Sequence, residues 1–395
     1  MRRRSLARGL LRLVSALTGL ATAAALTTAA QAGPSRDPAG GLRLNQIQAV
    51  ATHNSYHREV GFAEQRVMGE YDANFGNLLY SHASLPVQFA EQKVRGIELD
   101  VFPDPRGGLY AEPLIRGFAG QPPLGEPELE RPGFKVLHWA DFDYASSCAS
   151  LRGCLRQVKR WSDANPGHVT VPILLELKRT DPQFEKLGGA VSPAWTTGLL
   201  DALDAEIRTV FGEDRTVTPD DLRRKGRTLE ESVLRHGWPK VADTRGQVMF
   251  LMDNDDRAIQ DAYRAGGRES LQGRVLFTDA EPGRPDAAFV KENDPTGAGG
   301  AKIAELVERG YYVRTRSDVP LDQASTGDRT MLRAALASGA QMVSTDFPSP
   351  GMAARYGSDY TARLPEGATV RCNPVSVPAE RCPGRDLERD RLARS

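Results

Sequence analysis

Four short segments of the chain place ionisable or amide side chains directly after apolar, strand-like runs. The side chains that could do chemistry there are those of His53, Asn54, Glu98, Asp100, His138, Glu176 and Lys178. Glu98 and Asp100 are two residues apart, so on a strand both side chains point to one face. Glu176 and Lys178 repeat that spacing. Solvation alone explains such pairs poorly when they follow a hydrophobic run.

The oxygen-rich part of this set predicts a metal site. Its ligands would be three carboxylates and one amide oxygen, from Glu98, Asp100, Glu176 and Asn54. An all-oxygen set suits a hard cation such as calcium or magnesium rather than zinc. His53 and His138 would flank the cluster, and histidines near a metal are suited to general acid–base catalysis near neutral pH.

Each motif alone has an ordinary structural explanation. A histidine near a strand end is often structural, an acidic pair can be a solvated ion pair, and Lys178 could simply neutralise a neighbouring acid. Their occurrence together at successive strand ends favours a catalytic site. We expect Asp141 and Asp143 to have a loop role rather than to bind metal. His57 and His82, in the first loop, are minor candidates for lining the site.

The elements that must position these residues are short apolar strands alternating with helical patterns. Eight strands are predicted: Ile47–Ser55, Val94–Phe102, Phe134–Trp139, Val169–Leu177, Gln247–Asp253, Val275–Thr278, Tyr311–Thr315 and Gln341–Thr345. Continuous apolar strands are typical of a parallel sheet covered on both faces. We therefore predict an α/β fold, a single (β/α)8 TIM-type barrel with long decorating loops, in which chemistry gathers at the C-terminal strand ends. The Gly- and Pro-rich segment Pro282–Gly299 is interpreted as a linker.

The first 32 residues have the pattern of a secretory signal peptide. Five arginines precede an Ala-rich apolar stretch, and Ala30-Gln31-Ala32 is a small-residue cleavage site. A membrane anchor is the alternative, but charge in front and small residues behind favour cleavage. We expect a secreted protein with a signal peptide at residues 1–32, a barrel at residues 33–365 and a disulfide-pinned C-terminal extension at residues 366–395.

Cysteine content and charge agree with export and exclude one class of partner. Four cysteines allow three disulfide connectivities, and sequence proximity favours Cys148–Cys154 and Cys372–Cys382; a zinc site is disfavoured because neither pair has C-x-x-C spacing. The chain has 51 basic and 51 acidic residues. Because the five leader arginines are removed, the body is mildly acidic, which argues against nucleic-acid binding.

With these motifs in hand, the chain resembles a known family. The segments THNSY (52–56), GIELDVF (96–102), VLHW (136–139), LLELK (174–178) and GAQMVSTDFP (339–348) are similar to the catalytic core of phosphoinositide-specific phospholipase C. The similarity is to the bacterial, secreted, calcium-dependent branch. It implies cleavage of a phosphatidylinositol-type lipid to diacylglycerol and a cyclic inositol phosphate, with an inositol hydroxyl as the nucleophile.

The resemblance also implies residue roles. One calcium ion would be bound by Asn54, Glu98, Asp100 and Glu176. His138 would protonate the leaving diacylglycerol oxygen, and His53 would hydrogen-bond the phosphate. Lys178 would reach the phosphate or the inositol. Arg316 is a substrate-binding candidate by position only, as are Asp253, Arg314 and Asp346. We further expect a monomer that contacts the membrane surface transiently.

Two alternatives remain at this point. A glycerophosphodiester phosphodiesterase shares the barrel, the acidic pair and the second histidine. That family usually has arginine after the first histidine and a Pro-Glu-Asn segment, whereas here Asn54 follows His53 and no such segment occurs. An inactive secreted barrel that binds lipid or sugar is the non-enzyme alternative, and the intact set of candidate catalytic residues argues against it.

Overall fold

The computed structural model describes Ala39 and residues 41–384 and 386–388. The predicted signal peptide lies outside the described residues, as does the chain beyond residue 388. Eleven strands form in the described part: β1 (Ile47–Thr52), β2 (Ile97–Asp104), β3 (Gly133–Val136), β4 (Val171–Leu177), β5 (Thr216–Val217), β6 (Val248–Met252), β7 (Leu276–Thr278), β8 (Phe289–Lys291), β9 (Tyr312–Arg316), β10 (Met342–Thr345) and β11 (Val370–Cys372).

Eight of these strands run parallel and follow one another around a barrel. Ladder pairing joins β2 to β4, β4 to β6 and β6 to β7, and likewise β8 to β9, β9 to β10 and β10 to β1. Two sparser junctions link these groups. Between β1 and β2, the Arg95 N–H donates to the Val50 carbonyl at 2.9 Å, and between β7 and β8 a single parallel bridge joins Asp279 to Phe289. The predicted TIM-type barrel is confirmed.

The junction between β1 and β2 depends on a glycine. A Cβ atom at Gly96 would lie 2.8 Å from the Cβ of Ala51, closer than packed carbon atoms approach. Glycine therefore lets β2 begin directly against β1, so that the ends of both strands reach the same rim.

One of the eight predicted barrel strands does not belong to the barrel, and one barrel strand was not predicted, so the number of barrel strands remains eight. The segment predicted as the third barrel strand forms β3, which pairs antiparallel with β2 through Val101 and Val136 and extends the sheet sideways. The missing barrel strand is β8, inside the segment interpreted as a linker. With only three residues, β8 is too short to give a recognisable apolar run.

Thirteen helices are present in the described part. They are α1 (Phe62–Tyr71), α2 (Leu85–Ala90), α3 (Leu114–Phe118), α4 (Pro127–Glu130), α5 (Leu151–Ala164), α6 (Pro182–Lys186), α7 (Thr197–Phe211), α8 (Pro219–Leu222), α9 (Leu229–His236), α10 (Arg257–Arg264), α11 (Gly297–Arg309), α12 (Asp322–Thr326) and α13 (Thr330–Ser338). Short 3-10 turns occur at Leu44–Gln46, Phe75–Leu78, Val241–Asp243, Met352–Tyr356, Pro365–Gly367 and Ala379–Arg381. No helix in these ranges is long and apolar enough to cross a membrane.

The loops after β1 and β2 are long and carry structure of their own. Helices α1 and α2 lie between β1 and β2, and α3, α4, β3 and α5 lie between β2 and β4. The loops that follow the first strands therefore contain regular secondary structure. A second core, separate from that of the barrel, contains aromatic residues of β2 and of the loops after β2 and β4; among them are Phe102, Tyr110, Phe142 and Phe184.

The two disulfides join the cysteine pairs expected from sequence proximity. Cys148–Cys154 links the loop that follows β3 to the first turn of α5, and Cys372–Cys382 closes a loop near the C-terminus. Strand β11, which carries Cys372, pairs antiparallel with β1. The C-terminal segment is thus held against the first barrel strand by the β11 ladder, and the disulfide ties the chain around Cys382 back to β11.

Candidate active site

Three acids meet at the C-terminal ends of β2 and β4. Asp100 lies opposite Glu176 across the ladder, and Glu98 is two residues earlier on the same face of β2. Carboxylate oxygens of these residues all lie within 4.8 Å of one another. Glu98 and Asp100 are buried, and Glu176 is half-buried. The strand register therefore brings the three predicted metal-ligating carboxylates together.

Asn54 reaches this rim from the turn after β1. Its φ of 43° is in the left-handed region, which asparagine tolerates better than most residues. The next residue, Ser55, fixes the turn against β2, because its N–H donates to the Glu98 carbonyl at 3.0 Å and its Oγ accepts the Glu98 N–H at 2.8 Å. The Asn54 amide makes one long contact, to the Tyr80 hydroxyl at 3.4 Å.

The donor set fits a hard divalent cation. The Asn54 Oδ1 and the Asp100 Oδ1 are buried and have no hydrogen-bond partner. Burial raises the pKa of Glu98 to about 7, against the opposing charge of Arg314, and raises the pKa of Asp100 well above its ordinary value, against Lys178. Buried oxygens without donors are rare in folded proteins, and calcium prefers carboxylate and carbonyl oxygens. The residues present therefore fit calcium.

Lys178 lies inside the acidic cluster. Its Nζ is 3.3 Å from Asp100 Oδ2 and 3.2 Å from Glu176 Oε1. Burial works against the ammonium, but the two carboxylates outweigh it, and the pKa of Lys178 is raised. Lys178 therefore neutralises part of the predicted metal site, a position that its assignment as a substrate-binding residue did not foresee.

His53 is held by an aspartate from the opposite end of the chain. Its Nδ1 lies 2.8 Å from Asp346 Oδ1, and its Nε2 is 3.6 Å from Glu98 Oε1. Burial, followed by the charges of Arg316 and Arg314, places the pKa of His53 well below its usual value. A neutral ring that donates from Nδ1 to Asp346 leaves the Nε2 lone pair facing the site, where it can accept a proton.

His138 is paired with a second aspartate. Its Nδ1 lies 2.8 Å from Asp143 Oδ2, and the same oxygen is 2.8 Å from Nε2 of the buried His57. Burial lowers the pKa of His138, whereas the hydrogen bond to Asp143 opposes that shift. The hydrogen bond to Asp143 and the charge of that carboxylate limit the lowering, and they would stabilise the protonated ring that a general acid needs.

Two arginines come from β9. Arg314 is buried, and its Nη2 is 2.7 Å from Glu98 Oε2. Arg316 is partly open to solvent, with Nη2 3.2 Å from Asp346 Oδ2 and Nε donating to the Asp318 carbonyl at 3.0 Å. Both guanidinium groups thus lie beside the acids that contact His53.

The remaining candidates have clear positions. Asp141 has the expected loop role, since its carboxylate accepts the N–H groups of Ala190 and Leu114 at 3.0 and 3.3 Å. His82 lies behind His53, donating from Nε2 to the His53 carbonyl at 2.8 Å. The prediction for Asp143 captured its place in a loop but missed its contact with both His57 and His138. A five-residue spacing from His138 was the only available signal.

Two cavities open beside the site. One of about 390 Å³ borders His138 and Lys178, and its walls include Phe102, Trp139 and Phe184. The other, of about 520 Å³, borders Arg316; its remaining walls come from Asn293, Asp294, Thr296, Val319, Gln323, Asp328, Thr330 and Met331. The first cavity thus has aromatic side chains in its wall, together with polar ones from Arg179, Thr180, Asp181 and Glu185, whereas the second is lined by non-aromatic residues.

An aromatic ridge leads from the first cavity to the surface. We use this name for Trp139, Phe184, Phe142, Tyr71 and Phe118, whose rings contact one another in that order at centroid distances from 4.4 to 5.9 Å. Tyr71 and Phe118, at the outer end, are 50% and 45% exposed. The loops after β1, β2, β3 and β4 all contribute to the ridge.

Comparisons with known proteins agree with this geometry. Residues 42–374 match the model of a family described as phosphoinositide phospholipase C, Ca2+-dependent. Two structures of a calcium-dependent phosphoinositol-specific phospholipase C from Pseudomonas sp., one an apo form and one described as a myoinositol complex, are each 15% identical, with a TM-score of 0.52 over 85% of this chain and 96% of theirs. They share its fold.

A calcium-dependent phosphatidylinositol-specific phospholipase C from Streptomyces antibioticus is 19% identical, with a TM-score of 0.48 over 78% of this chain and 95% of that one. A search of curated proteins found no match. The family match covers most of the chain, from before β1 to the end of β11. This chain therefore belongs to the calcium-dependent phosphoinositide phospholipase C family.

Proposed function

We propose that this protein cleaves the phosphodiester of phosphatidylinositol-type lipids, releasing diacylglycerol and a cyclic inositol phosphate. One observation carries the proposal. Two histidines stand beside a cluster of buried acids, and each is held through Nδ1 by its own aspartate, His53 by Asp346 and His138 by Asp143. That arrangement supplies one proton acceptor and one proton donor at the same barrel mouth.

The reaction would divide between the two histidines. His53 Nε2 accepts the proton of an inositol hydroxyl, whose oxygen forms a new bond to phosphorus. The bond from phosphorus to the glycerol oxygen breaks, and His138 donates its Nε2 proton to that oxygen. The imidazolium formed at His53 then hydrogen-bonds the phosphate, the role expected from the resemblance, with Asp346 stabilising its charge.

Asn54, Glu98, Asp100 and Glu176 would hold calcium. Bound there, the ion supplies charge that neutralises the phosphate and lowers the pKa of the attacking hydroxyl. Lys178, now paired with two of these acids, would turn toward the phosphate once a cation replaces it. Arg316 would contact the inositol from the polar side. An intramolecular nucleophile adds a proximity advantage equivalent to roughly 10⁵ M or more.

The two cavities set the orientation of the substrate. His138 borders the aromatic cavity, so the diacylglycerol that it protonates would leave along the aromatic ridge. The polyhydroxylated inositol would lie toward the second cavity, beside Arg316, where six further side chains in the wall can form hydrogen bonds. Binding to the apolar wall favours the acyl-bearing part of the lipid over its headgroup.

The decisive experiment measures products from phosphatidylinositol vesicles, with calcium and then with chelator. Glycerophosphoinositol and phosphatidylcholine serve as competing substrates. Calcium-dependent release of diacylglycerol and a cyclic inositol phosphate is the expected result. Release of glycerol phosphate from glycerophosphoinositol would favour the phosphodiesterase alternative. Calcium-independent binding without turnover would favour the inactive barrel.

Membrane contact is the second part of the proposal. Tyr71 and Phe118 would enter the lipid surface while the protein, acting as a secreted monomer, stays otherwise in water. Tyr71→Ser and Phe118→Ser should weaken co-sedimentation with vesicles by about 1 to 2 kcal/mol each, the worth of the apolar area lost. Leu234→Ser is the matched control, because Leu234 is 40% exposed but belongs to α9, outside the ridge. Equal effects in all three variants would contradict a role for the ridge.

Secretion has its own test. We propose that the signal peptide is cut after Ala32 and that residues 366–395 form the pinned extension. N-terminal sequencing of protein from the culture medium should give Gly33 as the first residue. Retention of the leader in membranes would instead support an anchor.

A further inference from the structure

Asp143 is shared between two histidines, and only one of them faces the proposed reaction. Its Oδ2 lies 2.8 Å from Nδ1 of His138 and 2.8 Å from Nε2 of His57. Both Asp143 and His57 are fully buried, whereas His138 is 15% exposed at the mouth. The rings of His57 and His138 are 6.0 Å apart and perpendicular. The side chain of His57 is therefore hydrogen-bonded to that of His138 through Asp143.

The backbone fixes each member of this group. Trp139 and Asp143 form an antiparallel bridge, with the Trp139 N–H donating at 3.2 Å and the Asp143 N–H at 2.9 Å. This turn places Asp143 beside the preceding His138. On the other side, Nδ1 of His57 donates to the Tyr80 carbonyl at 3.0 Å, because a carbonyl can only accept. The ring of His57 cannot rotate without breaking one of its two hydrogen bonds.

The three side chains fit hydrogen bonding better than metal binding. Ligand atoms around a tetrahedral zinc ion lie about 3.3 Å apart, as bonds of about 2.0 Å require. Asp143 Oδ2 is closer than that to both ring nitrogens. Distances of 2.8 Å are those of charge-assisted hydrogen bonds.

We propose that His57 and Asp143 are positioning residues that hold His138 as the proton donor to the leaving group. His57 orients the Asp143 carboxylate, and Asp143 in turn binds Nδ1–H of the protonated His138 ring, so that the second proton of the ring, on Nε2, points to the mouth. This inference rests on the proposed function, and it assigns to His57 a role that a packing histidine would not have.

The test uses two substrates that differ only in their need for a proton donor. Both are inositol phosphodiesters, one with an alkyl alcohol as leaving group and one with p-nitrophenol. The alkoxide needs protonation as it leaves, whereas nitrophenolate departs without it. Loss of the proton donor should therefore slow the alkyl substrate selectively, while general damage to the site should slow both substrates alike.

We expect Asp143→Asn to slow the alkyl substrate about 100-fold and the nitrophenyl substrate less than about 3-fold. His57→Leu should lower the alkyl rate about 10-fold with the same selectivity. His57→Gln should restore most of that rate, because its amide can donate to Asp143 where Nε2 does. His168→Leu is the matched control: it removes a buried histidine that contacts Ser162 and Val169, and the ratio of the two rates should not change.

An unchanged ratio of rates in both His57→Leu and Asp143→Asn would overturn the proposal. Thermal unfolding first confirms that each variant is folded. If His57→Leu does not fold, the nearly isosteric Asp143→Asn variant decides alone. Wild-type turnover of both substrates is measured in the same series. Failure there would reject the proposed function itself, and it can thus be told apart from failure of the positioning role.

Discussion

The two halves of the barrel contribute different groups to one site. Strands β1 to β4 and their loops contribute the acids Glu98, Asp100 and Glu176 and both histidines of the mouth. The strands from β6 to β10 and the residues directly after them contribute two guanidinium groups, of which Arg314 pairs with Glu98 at 2.7 Å, and also Asp346, which holds the first of the two histidines. The groups proposed to bind calcium and to transfer protons are thus concentrated in the first half. The arginines of the second half balance part of that negative charge.

The largest difference between the halves should appear when a buried acid is neutralised. Asp100→Asn removes the charge of a buried carboxylate whose Oδ1 has no hydrogen-bond partner. We expect turnover to fall about 10³-fold, equivalent to about 4 kcal/mol, and calcium affinity measured by calorimetry to fall as well. Asp253→Asn, which alters an acid of the second half that pairs with Lys291, should cost less than tenfold. Equal losses would remove the distinction between the halves.

The same contrast shows what the sequence could and could not reveal. The ligand and histidine motifs of the first half follow long apolar runs, so strand ends could be recognised and their side chains assigned to one rim. In the second half, β8 has three residues and Arg314, Arg316 and Asp346 could be named by position only. Their roles depend on contacts across the barrel, such as Asp346 with His53, that no local pattern encodes.

Contacts made by the loops could not be predicted from the sequence either. Asp143 contacts His57, which lies 86 positions away in the sequence, and a short backbone bridge after β3 brings the two residues together. Periodicity predicted β3 but not that it leaves the barrel and runs antiparallel to β2. Both features result from packing of the long loops, which sequence spacing does not report.

The second-largest effect is expected from removal of the buried guanidinium group of Arg314. Arg314→Met leaves Glu98 without its 2.7 Å partner, and an unpaired buried charge costs about 3 kcal/mol or more. We expect the free energy of unfolding in urea, with chelator present, to fall by that amount. Arg316→Met should cost about 1 kcal/mol, since Asp346 keeps its contact with His53. If the free energy of unfolding fell more in the Arg316 variant than in the Arg314 variant, that result would contradict the greater burial assigned to the Arg314 ion pair.

Low pH should destabilise the fold through a buried histidine of the first half. Burial lowers the pKa of His168, between α5 and β4, to about 4, below the ordinary value of about 6.5. Since the unfolded chain binds a proton that the folded chain does not, this group's contribution is present above pH 6.5 and is lost as pH falls toward 4. Between pH 6.5 and 4.5 the loss is about 2 kcal/mol.

His168→Gln should therefore flatten the dependence of unfolding free energy on pH across that window. His236→Gln is the control, because this histidine, the last residue of α9, is exposed. If urea titrations at several pH values give parallel curves for wild type and the His168 variant, the cause of the acid sensitivity lies elsewhere.

The smallest expected effect concerns competition within the acidic cluster. The Lys178 ammonium neutralises Asp100 and Glu176 at 3.3 and 3.2 Å, so a cation must displace it. Lys178→Met should raise calcium affinity about tenfold, equivalent to about 1.4 kcal/mol, measured by calorimetry. Lys291→Met, which removes an ammonium paired with Asp253, should leave that affinity unchanged. Weaker calcium binding in the Lys178 variant would show that the ammonium does not compete.

The disulfide between Cys148 and Cys154 has a consequence for maturation. It anchors the loop that contains Asp143, and the same loop bonds to the segment of His57 through the bridge to Ser146 and the Arg58 N–H to Ala145. In a reducing compartment this anchor is absent, although the barrel ladders do not depend on it. Formation of this disulfide after export would then order the loop that positions His138. The enzyme would therefore become fully active only outside the cell that made it.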